Sequence, residues 1–503
     1  MEPGEVLLKA LVWLAVLHAL FVLLSGITQP ITDWFGFRQT QTALSVFWIA
    51  KGGPWLAYET PVLGSPWSIP FEFPLYQLLV AGVTKVGLPI EVAGRLVSFG
   101  FFLGCVPAFR KIAQISGLPP HSSSIVSVLF LTSPFYLFWS RTLMIESCAL
   151  FFSVWGIYYI LCLIQQRGLV NLFLAAGFGS VASLVKVTTF AAFLAVGGLM
   201  FLPALATAVK QRDGRSAASL IGFGFVLAAT VVAVASYWIS FTDALKSKNI
   251  IGAFLTSDAL GAWNWGTLQQ RFGSKLWRDV ILLRSIPETL GLAFPLTIPL
   301  LGLAVVSRRY GPAWSVLVVG YLAAFLLFTN LHTVHNYYQY ANAIFLIAAV
   351  GMSLAVLVKV WGVAAGAAFL GLVAVLQVGG YYKDFYKVAH FDPSVDGKLI
   401  ISEAIRNNVP EGEGVLVIGQ SWDSTIPFYA ERRSLSVPGF LPRQQISRIL
   451  KAPDEFFQRT KLGAVLYCYD ALGEYGKNKD LFIAFAASKK VRVELPGCNI
   501  LEP

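Results

Sequence analysis

Long apolar runs, broken by short polar punctuation, dominate the chain. A helix needs about 20 apolar residues to cross the hydrocarbon core of a bilayer. Eleven runs qualify as predicted spans: roughly 5–27, 92–109, 122–140, 146–165, 169–185, 187–208, 216–241, 287–306, 312–329, 338–358 and 360–381. The first lacks an Ala-x-Ala cleavage pattern, so it reads as a retained helix rather than a signal peptide. The run 74–88, from Pro74 to Leu88, is short for a span and carries Lys85.

Loop charge decides how to treat 74–88. If it lies on the membrane surface and the N-terminus is cytoplasmic, the cytoplasmic connections carry Arg110, Lys111, Arg167, Lys210, Arg212, Arg215, Arg308, Arg309 and Lys359, against the single acid Asp213. The short opposite connections carry Arg141, Glu146 and Lys186. This obeys the positive-inside rule, and counting 74–88 as a span would reverse it. The predicted fold is therefore an α-helical polytopic membrane protein of about 11 transmembrane helices plus interfacial helices. Its membrane module is 1–383, with long extracytoplasmic loops at 28–91 and 242–286. The polar tail 384–503 lies on the same side as those loops and reads as a small C-terminal α/β domain. The expected setting is a bacterial inner membrane with the tail in the periplasm.

Within the tail, Ser394–Asn408 has a helical pattern, and Asp423 is placed to cap a helix running to Glu431. Val415–Ile418, Leu462–Cys468 and Val491–Leu495 read as strands, and Asp480–Ser488 as a helix. Val415-Leu-Val-Ile-Gly419 is like the first strand of a nucleotide-binding unit, but the following Gln420-Ser-Trp-Asp-Ser lacks the glycines that let a backbone approach a pyrophosphate.

Composition agrees with the pattern. Of 503 residues, 56% are hydrophobic and 13% charged, where soluble domains carry about 25%. That excludes a plain cytosolic enzyme, a disordered chain and a disulfide scaffold. The net charge is +11, yet 384–503 holds 15 basic and 15 acidic residues, so the excess lies wholly in 1–383. It is spread between apolar stretches rather than gathered on one solvated patch, which argues against nucleic acid and for loop positives and anionic-lipid sites. Cys105, Cys148 and Cys162 fall in apolar runs. Cys468 and Cys498 fall in the tail, where a disulfide suits an extracytoplasmic domain without being required by the spacing.

Polar side chains collect on the extracytoplasmic side. Asp33 follows the first span, in Thr32-Asp-Trp-Phe-Gly-Phe-Arg-Gln-Thr-Gln-Thr-Ala43. Phe37, Leu44, Phe47 and Trp48 share one helical face, and Arg38, Gln41 and Ser45 another, as in an amphipathic helix lying at the interface. Asp33 suits either a helix cap or a polar group held at headgroup level. Glu72 is flanked by Phe71, Phe73, Pro70 and Pro74, so its carboxylate requires a partner, a metal or a raised pKa. Further outward turns bring Arg141 and Glu146, then Lys186, then His332, His335 and Tyr338. Ionisable residues at membrane depth are costly and usually functional. The loop 242–286 adds Arg271, Lys275, Arg278 and Arg284 among tryptophans.

The sequence resembles the GT-C superfamily of integral-membrane glycosyltransferases, in the branch of protein O-mannosyltransferases and lipid A aminoarabinose transferases. The matching elements are Gln29-Pro-Ile-Thr-Asp33, Phe71-Glu-Phe-Pro-Leu75, Ser140-Arg-Thr-Leu-Met-Ile-Glu146, His335-Asn-Tyr-Tyr338, Val415-Leu-Val-Ile-Gly419 and Phe428-Tyr-Ala-Glu-Arg432. Each is weak alone; their order and sidedness carry the resemblance. Two positions depart from it: Asp33 is followed by Trp34 where the family often has a second acid, and Phe73 stands where a basic residue often precedes the proline.

The resemblance implies a polyprenyl-phosphate sugar donor, which agrees with the missing phosphate loop. The implied acceptor is a lipid, glycan or protein hydroxyl, reached by a single inverting displacement with Asp33 as general base. Arg141, Lys186 and Arg38 are the implied partners of the leaving phosphate. Glu72 and Glu146 orient hydroxyls, or hold a divalent ion if the reaction uses one. His335 and Tyr338 hold phosphate or sugar. The rival readings are a transporter or flippase of lipid-linked saccharide, and a polymerase or ligase of surface polysaccharide. The first is expected to show inverted repeats or broken helices, and the second a reactive loop late in the chain.

Overall fold

A computed structural model describes residues 2–305 and 309–503; Arg308, used above for orientation, lies outside them. Among the described residues, eight helices are long and apolar enough to cross a membrane: Pro3–Ser25, Ile90–Ile115, Glu146–Gln166, Leu169–Lys210, Gly214–Lys246, Lys275–Leu301, Ala343–Trp361 and Val363–Asp384. Three shorter apolar helices, Leu75–Thr84, Ser122–Thr132 and Gly311–Leu327, accompany them. The chain is built as a multi-pass membrane protein. Leu75–Thr84 spans 10 residues, about 15 Å at 1.5 Å per residue, which is half the hydrocarbon thickness.

Three predicted spans have different limits. The run 122–140 is two helices, because Pro134 has no N–H to continue the ladder and Ser133 is extended (φ −57°, ψ 123°). The Ser133 hydroxyl donates instead to the Thr289 carbonyl at 2.6 Å. The runs 169–185 and 187–208 are two helices, as predicted: the backbone leaves helical geometry at Lys186 (φ −161°, ψ 95°), and a Cβ on Gly179 would lie 3.1 Å from Phe190 Cζ, so the second helix folds back beside the first. The helix predicted to start at 287 starts at Lys275, with π-helical winding through Ser285. The polar residues Lys275, Arg278, Asp279 and Arg284 mask that start in the sequence. The last but one span starts at Ala343, because Asn336–Ala341 is wound as a 3-10 turn.

The contacts divide the chain into two compact units. One comprises Met1–Ile27, Arg95–Trp238 and Gly261–His390; the other comprises Thr28–Gly94, Ile239–Leu260 and Phe391–Pro503.

The second unit is built on a five-stranded sheet. Its strands are β1 (Glu413–Ile418), β2 (Ser434–Ser436), β3 (Lys461–Tyr467), β4 (Val491–Leu495) and β5 (Cys498–Leu501), in the order β2-β1-β3-β5-β4. β1 runs parallel to β2 and β3, while β5 is antiparallel to β3 and β4. Ile405, Val415, Val417, Ile426, Leu466 and Ile500 form its core. Asp396 caps the helix Gly397–Asn408 by accepting from Lys398 N at 2.9 Å. Asp423 accepts from Thr425 N at 2.8 Å at the start of Thr425–Ala430.

The first long loop completes this unit. Leu63 pairs antiparallel with Leu435 on the β2 edge. The Ser434 and Ser436 amides donate to the Pro61 and Val62 carbonyls at 3.0 and 2.8 Å. Gly64 has φ +75°, and a Cβ there would meet Leu435 Cδ1 at 2.8 Å. Buried Asn249 fastens the turn: its Nδ2 donates to the Leu63, Gly64 and Pro66 carbonyls, and its Oδ1 accepts from Ile251 N and Gly252 N.

The stretch expected to be an amphipathic helix is a helix, Gly36–Ala50, packed into the second unit. Of its residues only Ala50 is exposed. Its polar face is covered as well as its apolar one: Ser45 hydrogen-bonds Thr60 at 2.9 Å, and Thr40 meets Thr425 at 3.3 Å.

Cys468 and Cys498 are joined by a disulfide, 30 residues apart in sequence. Closing a loop of that size restricts the unfolded chain by about 3–4 kcal/mol. Cys468→Ser is therefore expected to lower the thermal midpoint of the second unit, read by circular dichroism on the full chain. Reductant should lower the wild-type midpoint equally and leave the variant unchanged.

Candidate functional site

In the second unit, Asp33 is buried and accepts a hydrogen bond from Gln39 Nε2. Gln39 also donates to the Trp34 carbonyl at 3.2 Å, so its amide locks the turn into the helix Gly36–Ala50. Phe35 takes a left-handed conformation (φ 55°) at this corner. The Ile31 amide donates to the Tyr429 hydroxyl at 2.8 Å, fixing the approach to Asp33. Arg38, one turn on, forms an ion pair with Glu72 and donates to Gln41 Oε1. Its guanidinium lies 5.9 Å from the centre of the Phe71 ring. The Tyr58 hydroxyl donates to the Glu72 carbonyl and accepts from Phe71 N, both at 2.9 Å. Glu72 thus meets the requirement for a partner through Arg38.

Asp33 also lines a cavity of about 670 Å³ inside this unit. Its other walls come from Gly36 and Phe37 and from Asp396, Lys398, Gln420, Asp423, Asp470 and the Cys468–Cys498 disulfide.

The first unit brings together Glu146, Lys186, His335 and Tyr338. Lys186 stands at the break in Leu169–Lys210 and Glu146 at the start of Glu146–Gln166. They form an ion pair whose side chains are 5% and 3% exposed. The Lys186 ammonium lies over the Tyr337 and Tyr338 rings at 5.0 and 4.4 Å. His335 stacks on Tyr337, with ring centres 5.4 Å apart. Arg141 is fully buried, with its guanidinium 4.8 Å from the centre of the Phe138 ring. A Cβ on Gly26 would lie 3.8 Å from Arg141 Nη1 and 3.6 Å from His390 Nε2, so both side chains lie against the end of the first helix.

His332 is buried beside this cluster. Arg284 donates to its carbonyl and, at 3.1 Å, to that of Thr333. Burial pushes the His332 imidazole down to about 3, and the Arg284 and Lys186 charges add to that shift. It is neutral at physiological pH.

Sequence reading missed Gln39, Tyr337 and Lys398. Gln39 lies six residues beyond Asp33, and its importance depends on a left-handed corner that no pattern announces. Tyr337 was legible only as part of a tyrosine pair. Lys398 reads as an ordinary helix-surface residue. Among the described residues, no group of three His, Cys, Asp or Glu side chains is placed to hold a metal ion.

The fold of this chain has solved counterparts. ArnT from Cupriavidus metallidurans, solved bound to undecaprenyl phosphate, matches with a TM-score of 0.65 at 13% identity, over 97% of each chain. Its apo structure matches with a TM-score of 0.63 at 13% identity, over 98% of each chain. Arabinofuranosyltransferase AftD from Mycobacteria matches with a TM-score of 0.55 at 13% identity, over 98% of this chain and 39% of AftD. The likeness is one of fold. No protein-family profile and no curated protein sequence matches the chain.

Two predictions arise from the Lys186 cluster. Lys186→Met leaves a buried carboxylate uncompensated, which costs about 3–5 kcal/mol, whereas Lys186→Met with Glu146→Gln should recover most of that loss. Unfolding midpoints of both variants in nanodiscs decide the point.

The second concerns acid. His332 is protonated more weakly in the folded state than in the unfolded one, so its contribution is complete above its ordinary value of 6.5. It is lost as pH falls from 6.5 toward 3, at about 1.4 kcal/mol per unit. His332→Gln should flatten the fall in midpoint between pH 6.5 and 5; an unchanged slope would count against this account.

Proposed function

We propose that this chain is a membrane glycosyltransferase. It moves a sugar from a polyprenyl-phosphate donor to a hydroxyl of a lipid, glycan or protein acceptor. The reaction takes place on the extracytoplasmic face of a bacterial inner membrane. The observation that carries this reading is the fold match over 97% of both chains to a protein solved with undecaprenyl phosphate bound. The absence of a phosphate-binding glycine loop agrees with a lipid rather than a nucleotide donor.

In the proposed reaction Asp33 takes the proton of the acceptor hydroxyl as its oxygen attacks the anomeric carbon. The bond from that carbon to the phosphate oxygen breaks, and the configuration inverts. The leaving lipid phosphate keeps the electron pair, so no acid is needed. Arg141 and Lys186 meet the charge that develops on it. Gln39 holds the Asp33 carboxylate in orientation. Arg38 and Glu72 keep each other fixed and present polar groups to sugar hydroxyls. Glu146 orients Lys186, and His335 and Tyr338 supply the sugar-facing wall.

Removing a general base typically costs about 10²–10⁴-fold in rate. Asp33→Asn should lose that much transfer from a polyprenyl-phosphate sugar while keeping its affinity for the donor. Transfer is followed by radiolabelled sugar release, alongside a nucleotide sugar as control. Near-normal transfer by the variant would remove the base assignment, and use of the nucleotide sugar alone would overturn the donor class.

A further inference from the structure

The cavity that Asp33 lines is walled mainly by the C-terminal domain, and its chemistry is specific. Its volume of about 670 Å³ lies within the range that holds small-molecule ligands. Phe37 offers an aromatic face, braced edge-on by Trp422 at 5.0 Å between ring centres. Gln420 and Lys398 offer hydrogen-bond donors, and Asp423, ion-paired with Lys398 at 2.5 Å, offers acceptors. An aromatic platform ringed by amide, ammonium and carboxylate groups suits sugar, whose C–H face is apolar and whose rim is hydroxyl.

The balance of charge adds a selection. Asp33, Asp396, Asp423 and Asp470 line the space against the single cation Lys398. A phosphate or carboxylate entering it would meet net negative charge, and like charges placed together discriminate strongly between ligands.

We infer that this cavity is the acceptor site and that the acceptor is an uncharged, hydroxyl-rich glycan. Gln420 and Lys398 of the C-terminal domain are its specificity residues. The inference rests on the glycosyltransferase reading above, because it takes Asp33 as the group that meets the acceptor hydroxyl. The cavity and its charge are independent of that reading.

The test separates the two. Full-length protein in nanodiscs is applied to an array of neutral oligosaccharides and their phosphorylated counterparts, without donor. Binding is expected to neutral members. Gln420→Ala should weaken it about fivefold, the equivalent of one neutral hydrogen bond. Asp470→Lys, on the exposed rim, should shift the bound set toward phosphorylated glycans. Failure to bind any neutral member, preference for phosphorylated ones, or indifference to both variants would overturn the inference. Cleavage of a polyprenyl-phosphate sugar is measured separately on the same preparation. Glycan binding of the expected kind without donor cleavage leaves the site standing and removes the glycosyltransferase reading. Donor cleavage without glycan binding does the reverse.

Discussion

The helical unit is organised around one charge pair in an apolar setting. Lys186 and Glu146 are almost fully buried, and each makes the other tolerable there. An isolated ammonium or carboxylate would face a desolvation penalty of several kcal/mol. Paired, and with aromatic faces over the ammonium, they mark the corner at which the chain turns from one helix into the next at Lys186. The corner falls where Lys186 finds a partner, and Glu146 at the start of its own helix supplies it.

The second unit solves a different problem, which is to make a long loop rigid. A segment from Thr28 to Gly94 has little regular structure beyond two helices. It is held by borrowing order from the C-terminal domain. Leu63 extends the sheet at β2, and Asn249 uses both of its polar atoms on the turn around Gly64. Arg433 forms an ion pair with Glu59 at 2.6 Å while lying over Trp48 and Trp67. The consequence for Asp33 is a carboxylate whose approach is fixed at Ile31 and whose orientation is fixed by Gln39. Such rigidity would suit the base role proposed for Asp33.

Much of this was legible in the sequence because it follows from strong, local signals. Apolar runs located the spans, and the strands Val415–Ile418, Leu462–Cys468 and Val491–Leu495 showed as branched or buried runs. What escaped has one physical cause: it depends on partners distant in the chain. β2 is three residues long and β5 four, and neither has a pattern until it is paired. The polar face of Gly36–Ala50 was legible as a face, but its partners were not: Ser45 and Thr40 find hydroxyls at Thr60 and Thr425. The candidate residues were recognisable one by one as costly charges near a membrane. Their pairing, Arg38 with Glu72 and Lys186 with Glu146, was not, because opposite charges 34 and 40 residues apart have no register to betray them.

The same pairing bears on the proposed chemistry. An ammonium has three N–H donors, and at Lys186 one is directed to Glu146 while the ammonium also lies over Tyr337 and Tyr338. The resting pair is close to neutral overall, so it persists in a low-dielectric setting without a ligand. Phosphate oxygens reaching Lys186 would replace the weak attraction of aromatic faces by charge-assisted hydrogen bonds, which are roughly twice as strong as neutral ones. Glu146 would hold the ammonium in place during that exchange. In the proposed reaction, a lysine compensated in this way would be tolerated in an apolar setting and would still have donors to turn toward developing charge.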